Sequence, residues 1–344
     1  MTPYFERKEL WCGGEIYEKH RIPGMLITDK GTILAYNEAR RTAEDWALMD
    51  ILCQRSTDGG KSFSEPFPLA SGTEELPTVN NPVMMQDRHG RIHFLYCECY
   101  GTKGGRILRR YSDDDGLTWS NVIDITPFTL PDERTCFALG PGHGITLADG
   151  TLLVPVWLVP RVYGQPARKH GPSVVTTFTS CNSGESWSLG EWIWTSAMVV
   201  SPNETAAAQL ADGRVYLNIR TQASYRSRAY SRDGATEWFG VEPDHALTDA
   251  RSFGSLTTVT DKNGEQLLLF ANCANEDARD HVTVHISRDG GLNWFAHKLV
   301  DEQRGGYTEI YAESAERIYL IYEEDWGAKC HLCTFDLDWL LADA

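Results

Sequence analysis

Ser287-Arg288-Asp289-Gly290-Gly291-Leu292-Asn293-Trp294 is the last of five copies of one pattern, and that pattern decides the fold. The earlier copies are Ser56–Phe63 and Ser112–Trp119, then Ser180–Trp187, where Asn182 replaces Asp, and Ser231–Trp238, where Ala235 stands at the late glycine position. Their starts lie 56, 68, 51 and 56 residues apart, the length of a four-stranded blade with its loops. In such a turn the Asp or Asn side chain bonds turn N–H groups, glycine supplies a positive φ, and the aromatic folds back between sheets.

Apolar, β-rich runs flank the copies: 32–36, 93–96, 152–157, 215–219, 267–270 and 317–322. Most follow a glycine-centred turn such as Asp149-Gly150 or Asp212-Gly213. Five boxes and a further strand set after Gly306 predict an all-β, six-bladed β-propeller. The expected closure pairs the N-terminal segment with the final sheet. No linker interrupts the chain, so residues 1–344 read as a single propeller domain. The boxes themselves have folding roles, and the fold alone does not give a function.

With 42% hydrophobic and 11% aromatic residues, the chain has ample material for a core and is not disordered. Its net charge of −16 argues against nucleic acid or an anionic membrane as the main partner. An anionic substrate would have to be drawn in by a local basic cluster against the overall field. Nine irregularly spaced cysteines read as reduced thiols rather than a disulfide framework. The charged start from Met1 to Trp11 has no apolar core of a signal peptide, and no apolar run approaches the ~18 residues of a membrane span. The expectation is therefore a cytoplasmic protein. Cys330-His331-Leu332-Cys333 is a lone CxxC that reads as two strand thiols, and neither a metal nor a cofactor is expected. Oligomeric state is not encoded in any recognisable feature.

Outside the boxes, the chain resembles the sialidase (neuraminidase) family of glycoside hydrolases, family 33-like, over nearly its full length. The resemblance is carried by Arg21-Ile22-Pro23, by the stretch from Gly31 to Arg40 with Asp45 after it, and by Pro141-Gly142-His143-Gly144-Ile145. Asn203-Glu204, Asn218-Ile219-Arg220, Arg279, Gly306-Tyr307-Thr308-Glu309-Ile310 and Leu320-Ile321-Tyr322-Glu323 complete it in family order.

The resemblance implies an exo-α-sialidase whose partner is a sialylated glycan. Arg21, Arg220 and Arg279 would clamp the substrate carboxylate, since planar guanidinium groups bind carboxylates bidentately and lysine does not. Glu323 would orient Arg21, and Arg40 would contact substrate at the rim. A carboxylate nucleophile would be repelled by that substrate, so the family uses tyrosine. The implied nucleophile is Tyr307, with Glu204 as its base and Asp45 as general acid. Asp50 and the adjacent Glu44 rival Asp45. His143 is a candidate for the pocket or an ordinary turn histidine, and Trp46, Trp157 and Tyr225 are candidates for pocket walls or core packing.

Asn80-Asn81-Pro82 fits the inner strand of the second blade, but nothing between boxes one and two stands out for recognition of an N-acetyl group. This departure leaves the identity of the nine-carbon sugar open. Two other readings follow: a hydrolase or trans-sialidase for a related, for example deaminated, sugar, and a non-catalytic glycan-binding propeller.

Overall fold

The computed structural model describes residues 3–100, 103–127, 134–160 and 170–342. Their regular structure is almost entirely six small, mainly antiparallel sheets. Blade one is Lys19–Ile27, Ile33–Arg40, Met49–Ser56 and Phe67–Ser71. Blade two is Thr78–Gln86, Ile92–Tyr100, Lys103–Ser112 and Ile123–Asp124, and it gains Gly142–His143 as a parallel addition to its first strand. Blade three is Arg134–Leu139, Leu152–Pro160, Val174–Ser180 and Ser188–Leu189, with Ile145–Thr146 also pairing on Leu152–Pro160. Blade four is Thr205–Gln209, Val215–Ile219, Tyr225–Ser231 and Phe239–Thr248, and blade five is Ser255–Thr260, Gln266–Cys273, Val282–Ser287 and Ala296–Asp301. Blade six takes Thr308–Ser314, Arg317–Glu324 and Lys329–Phe335 from the C-terminal part.

The fourth strand of blade six is Phe5–Cys12, paired antiparallel from Phe5 against Phe335 to Cys12 against Lys329. The ring is thus fastened by strand pairing between the two ends of the chain, as the sequence predicts. The architecture is a six-bladed β-propeller with, among the described residues, one short helix, Leu337–Leu341, capped by Asp336.

Apolar clusters fill the interfaces between blades, as expected for sheets packed face to face. Leu34 and Tyr36 of blade one meet Phe94 and Tyr96 of blade two. Tyr216 and Tyr230 of blade four meet Leu256 and Phe270 of blade five. Met25 and Ile33 of blade one meet Tyr319 and Ile321 of blade six, closing the circle. Second strands such as Ile33–Arg40 are buried along their whole length because a neighbouring blade covers each face.

Every box joins the third strand of its blade to the fourth. In the second box, Ser112 Oγ accepts from Gly116 N (2.8 Å) and donates to Asp114, and Asp114 accepts from Thr118 N and Thr118 Oγ1. Hydrogen bonds from Thr118 hold the Asp114 carboxyl down at about 2. The fourth box solves its missing glycine by shifting the turn: Gly234 takes the positive φ of 73° and donates to Ser231 Oγ. In blade one, Ile33 pairs with Ser56 and Arg40 with Met49, so the box lies at the end of the blade away from Arg40. The loops between second and third strands, and the starts of first strands, share the other end.

Cys330 and Cys333 are buried thiols on the last strand, and Cys330 donates to His20 O (3.2 Å). Among the described residues no cluster of His, Cys, Asp and Glu is arranged to hold a metal ion, and no helix is long and apolar enough to cross a membrane.

Two buried histidines give the fold a pH dependence. Burial, reinforced by Arg109, pushes His93 down to about 4, while Asp87 opposes the shift. Burial, reinforced by His297, pushes His285 down to about 3. The folded state therefore binds fewer protons than the unfolded state between pH 6.5 and those values. Their stabilisation is complete above 6.5 and falls as pH drops, with a slope of up to about 1.4 kcal/mol per pH unit per histidine. Urea unfolding between pH 6.5 and 4.5 should show stability falling with pH, and His285→Gln should make that fall shallower by the share of one histidine. Separately, Ser112→Ala strands the buried Gly116 N–H and should lower unfolding free energy by about 1–3 kcal/mol, leaving ligand binding at the far end unchanged.

Candidate active site

The end of the propeller opposite the boxes carries a cavity of about 350 Å³. Arg21, Arg40, Asp45, Glu204, Arg220, Arg279 and Tyr307 all line it. Residues separated by up to 286 positions converge because first-strand starts and second-strand ends of the blades meet here. Arg21 comes from the first strand of blade one and Arg40 from the end of its second. Glu204 and Arg220 flank the paired strands Thr205–Gln209 and Val215–Ile219, joined by Asn203 N donating to Arg220 O (3.0 Å). Asp45 and Arg279 come from loops between second and third strands.

Backbone irregularities aim several of these side chains. The pairing of Arg21–Gly24 with the next strand is bulged, and so is that of Asn80–Val83. Ile22, Asn81 and Ser201 each have positive φ (52°, 51° and 48°), and a proline follows each. A residue before proline is ordinarily extended, so three such kinks on three blades mark a place where the chain is bent to present side chains.

Glu323, fully buried at the end of Arg317–Glu324, does not line the cavity but holds its wall. Its Oε1 accepts from Arg21 Nε (2.9 Å) and Ile22 N (2.7 Å), and its Oε2 accepts from Tyr307 N (3.0 Å). Burial works against the Arg21 charge, but Glu323 and Tyr307 overcome it and raise the guanidinium above its ordinary pKa.

Tyr307 Oη donates to the Glu204 carboxylate, 2.6 and 2.8 Å from its two oxygens, and accepts from Arg220 Nη1 (2.8 Å). Arg220 Nη1 also contacts Glu204 Oε2 directly. Arg21, Arg220 and Arg279 stand 5.3, 5.8 and 5.4 Å from the centre of the Tyr307 ring. Three guanidinium groups thus surround one phenol. Burial raises the Tyr307 pKa above its ordinary value, and Glu204 adds to this, against the pull of Arg220, Arg279 and Arg21.

Arg40 is held from below by buried Glu38, whose Oε2 accepts from Nε (2.9 Å) and Nη2 (2.7 Å), and its Nη1 donates to Asp45 Oδ1 (2.8 Å). Burial raises Asp45, but the charge and hydrogen bond of Arg40, with Arg21 behind, outweigh it and hold the carboxyl below its ordinary value. The Asp45 side chain is 59% exposed, the most open of the charged groups here.

Other sequence candidates separate cleanly. Asp50 accepts from Tyr17 Oη and is outside the cavity. Tyr225 packs edge-on against His245. His143 lies in a second cavity, with Nδ1 2.6 Å from buried Glu309. Trp46 and Trp157 do line the site. So do Asn80, Asn81, Cys99, Cys136, Phe137 and Trp326, none of which the sequence reading assigned to it. Asn81 is fixed by Glu38 Oε1 and Leu139 O, and Xaa-Xaa-Pro in the second blade, matching Arg21-Ile22-Pro23 in the first, was the signal available.

The BNR repeat-like domain family model matches residues 31–320, most of the chain. The chain is 30% identical to a sialidase of Clostridium perfringens over 299 residues, covering 77% of this chain and 74% of that protein. It is 29% identical to a sialidase of Micromonospora viridifaciens, covering 98% of this chain and spanning 55% of that protein's length. Among solved structures it resembles a leech intramolecular trans-sialidase complexed with 2,7-anhydro-Neu5Ac (TM-score 0.81, 15% identity, 98% of this chain and 71% of the other), a likeness of fold. The chain is a BNR-repeat propeller. Within that class it belongs to the sialidase family.

Because Glu323 accepts from Arg21 and Ile22 across the seam between blades and from Tyr307 N within its own blade, Glu323→Ala should cost about 3–5 kcal/mol of unfolding free energy. Glu323→Gln, which keeps one acceptor oxygen, should cost less. Chemical unfolding of the purified variants measures both.

Proposed function

We propose that this chain is a retaining exo-α-sialidase that hydrolyses terminal α-linked sialic acid, with Tyr307 as nucleophile. The observation that carries this reading is the Tyr307–Glu204 hydrogen bond within a ring of three arginines. The cavity is near the small end of the ~300–1,000 Å³ range of ligand sites, a size that suits one terminal sugar. Arg21, Arg220 and Arg279 receive its carboxylate. Glu204 takes the phenolic proton as Tyr307 Oη bonds to the anomeric carbon, which a buried phenol cannot do unaided. Asp45 gives a proton to the departing glycosidic oxygen. Water then gives a proton to the Asp45 carboxylate as its oxygen bonds to the anomeric carbon, and the departing Tyr307 Oη takes its proton back from Glu204.

Asp45 begins ionised against Arg40, so its acid role requires that ion pair to slacken as the leaving group enters. Its exposure gives it room to move. All these groups lie within one propeller unit, which we take as the catalytic unit.

A fluorogenic 4-methylumbelliferyl α-sialoside tests the proposal. The expected result is release of the fluorophore by wild type, with Tyr307→Phe and Glu204→Gln slowed by about a thousandfold or more. Proton NMR of the fresh product should show the α anomer first. Absence of turnover by wild type, or unchanged turnover in Tyr307→Phe, sinks it. Parallel assays with a deaminated sialoside and with a lactose acceptor separate hydrolysis of the acetylated sugar from the related activities.

A further inference from the structure

The three arginines around Tyr307 are not held alike. Arg21 is paired with Glu323 and Arg220 with Glu204. Arg279 has no carboxylate within ion-pair distance among the described residues. Its Nη2 donates to Arg251 O (2.8 Å), and its guanidinium lies 4.3 Å from the ring centre of Trp326. The same indole is 5.8 Å from Arg21.

Trp326 comes from the loop between the second and third strands of blade six. It lines the cavity and is 42% exposed, so core packing does not account for it. Its backbone is also unusual. Asp325 and Trp326 have φ of 46° and 58°, and Gly327 N donates to Glu324 O (3.1 Å) across them. Such a turn favours Asn-Gly, and a bulky residue with positive φ is strained. The loop is also pinned: a Cβ at Gly327 would sit 2.3 Å from His20 O and 2.5 Å from Arg21 Cδ. Strain of this kind persists where the surroundings fix a residue for a purpose.

We infer that Trp326 is a positioning residue of the carboxylate clamp, holding Arg279 by its aromatic face so that this guanidinium keeps its charge undiminished for the substrate. The inference rests on the clamp reading given under Proposed function. A carboxylate in the place of the indole would hold Arg279 equally well but would offset its charge. The ring quadrupole attracts the guanidinium through its flat face and leaves edge N–H groups for a ligand. The clamp then holds two neutralised arginines that shape the site and one free cation that supplies net attraction, within a chain whose overall charge repels anions.

Calorimetric titration with 2-deoxy-2,3-didehydro-N-acetylneuraminic acid tests this on wild type, Trp326→Ala, Trp326→Phe, Arg279→Ala and the double variant Trp326→Ala/Arg279→Ala. Trp326→Ala should bind about tenfold more weakly, and Trp326→Phe should recover most of the loss. Without Arg279, removing the indole should change affinity by less than about twofold, because the two act as one unit. With the sialoside substrate, Trp326→Ala should raise KM while kcat stays within about threefold. The strain of the turn resides in the Cβ that alanine keeps, and the indole is half exposed, so the unfolding midpoint of Trp326→Ala should stay near the wild-type value. Affinity unchanged in Trp326→Ala, or lost equally with and without Arg279, overturns the inference. Failure of wild type to bind the probe overturns the clamp reading, and this one with it.

Discussion

The Glu323 carboxylate is the constraint on which the rest of the site depends. It is fully buried, yet each of its oxygens is satisfied from a different part of the chain: Arg21 and Ile22 on blade one, Tyr307 on blade six. Those blades meet where the ring closes, so this one group ties the closure of the fold to the geometry of the site. A buried carboxylate is costly unless it is paired and hydrogen-bonded, and here it receives three donors. Any slippage of blade six against blade one would break the Arg21 and Ile22 contacts and shift Arg21 relative to the phenol. Strand pairing between the chain ends therefore sets the register of the chemistry as well as the stability of the ring.

The same logic explains how a strongly acidic chain presents a cationic surface to a ligand. The site holds four arginines, but each of the other three has an acid at its back or side, while Arg279 has a carbonyl and an aromatic ring. Long-range attraction is weak in such an arrangement, and short-range geometry dominates. Guanidinium donors placed around a half-buried volume discriminate by shape and by the direction of N–H groups, in an environment where a charge-assisted bond is stronger than in water.

Much of this was legible in the sequence because it depends on local chemistry. A box turn is specified by four or five neighbouring residues, so five of them revealed the blade count and the spacing. The arginines, Tyr307, Glu204 and Asp45 were legible through motif context, and the structure brings them to one cavity. What escaped depends on contacts between distant segments. Glu38 reads as an ordinary strand acid until Arg40 and Asn81 fold onto it. Asn80, Cys99 and Cys136 are unremarkable strand residues that acquire meaning only where blades two and three meet the cavity. His143 and Tyr225 went the other way: both carry suggestive chemistry, but the chain places His143 beside Glu309 and Tyr225 against His245. Trp326 was hidden for a further reason, because Asp-Trp-Gly does not advertise a tight turn of positive φ, and nothing in its composition points to Arg279.

The distribution of strain over the molecule bears on function. At the box end, positive φ falls mostly on glycines such as Gly116 and Gly291 or on short polar residues such as Asp115, which tolerate it, with Glu237 of the fourth box as the exception. At the site end, besides Asn81, His281 and Asp325, it falls on four residues, Ile22, Ser201, Arg251 and Trp326, three of them large or branched side chains. A fold free to choose would place glycine there as well. Three of the four are adjacent to, or in contact with, one of the converging arginines: Ile22 follows Arg21, the Arg251 carbonyl accepts from Arg279, and Trp326 covers Arg279. The site end of the propeller is thus conformationally costlier than the boxed end, and the five box turns, each closed by hydrogen bonds to its serine Oγ, are part of what allows a single ring to sustain both.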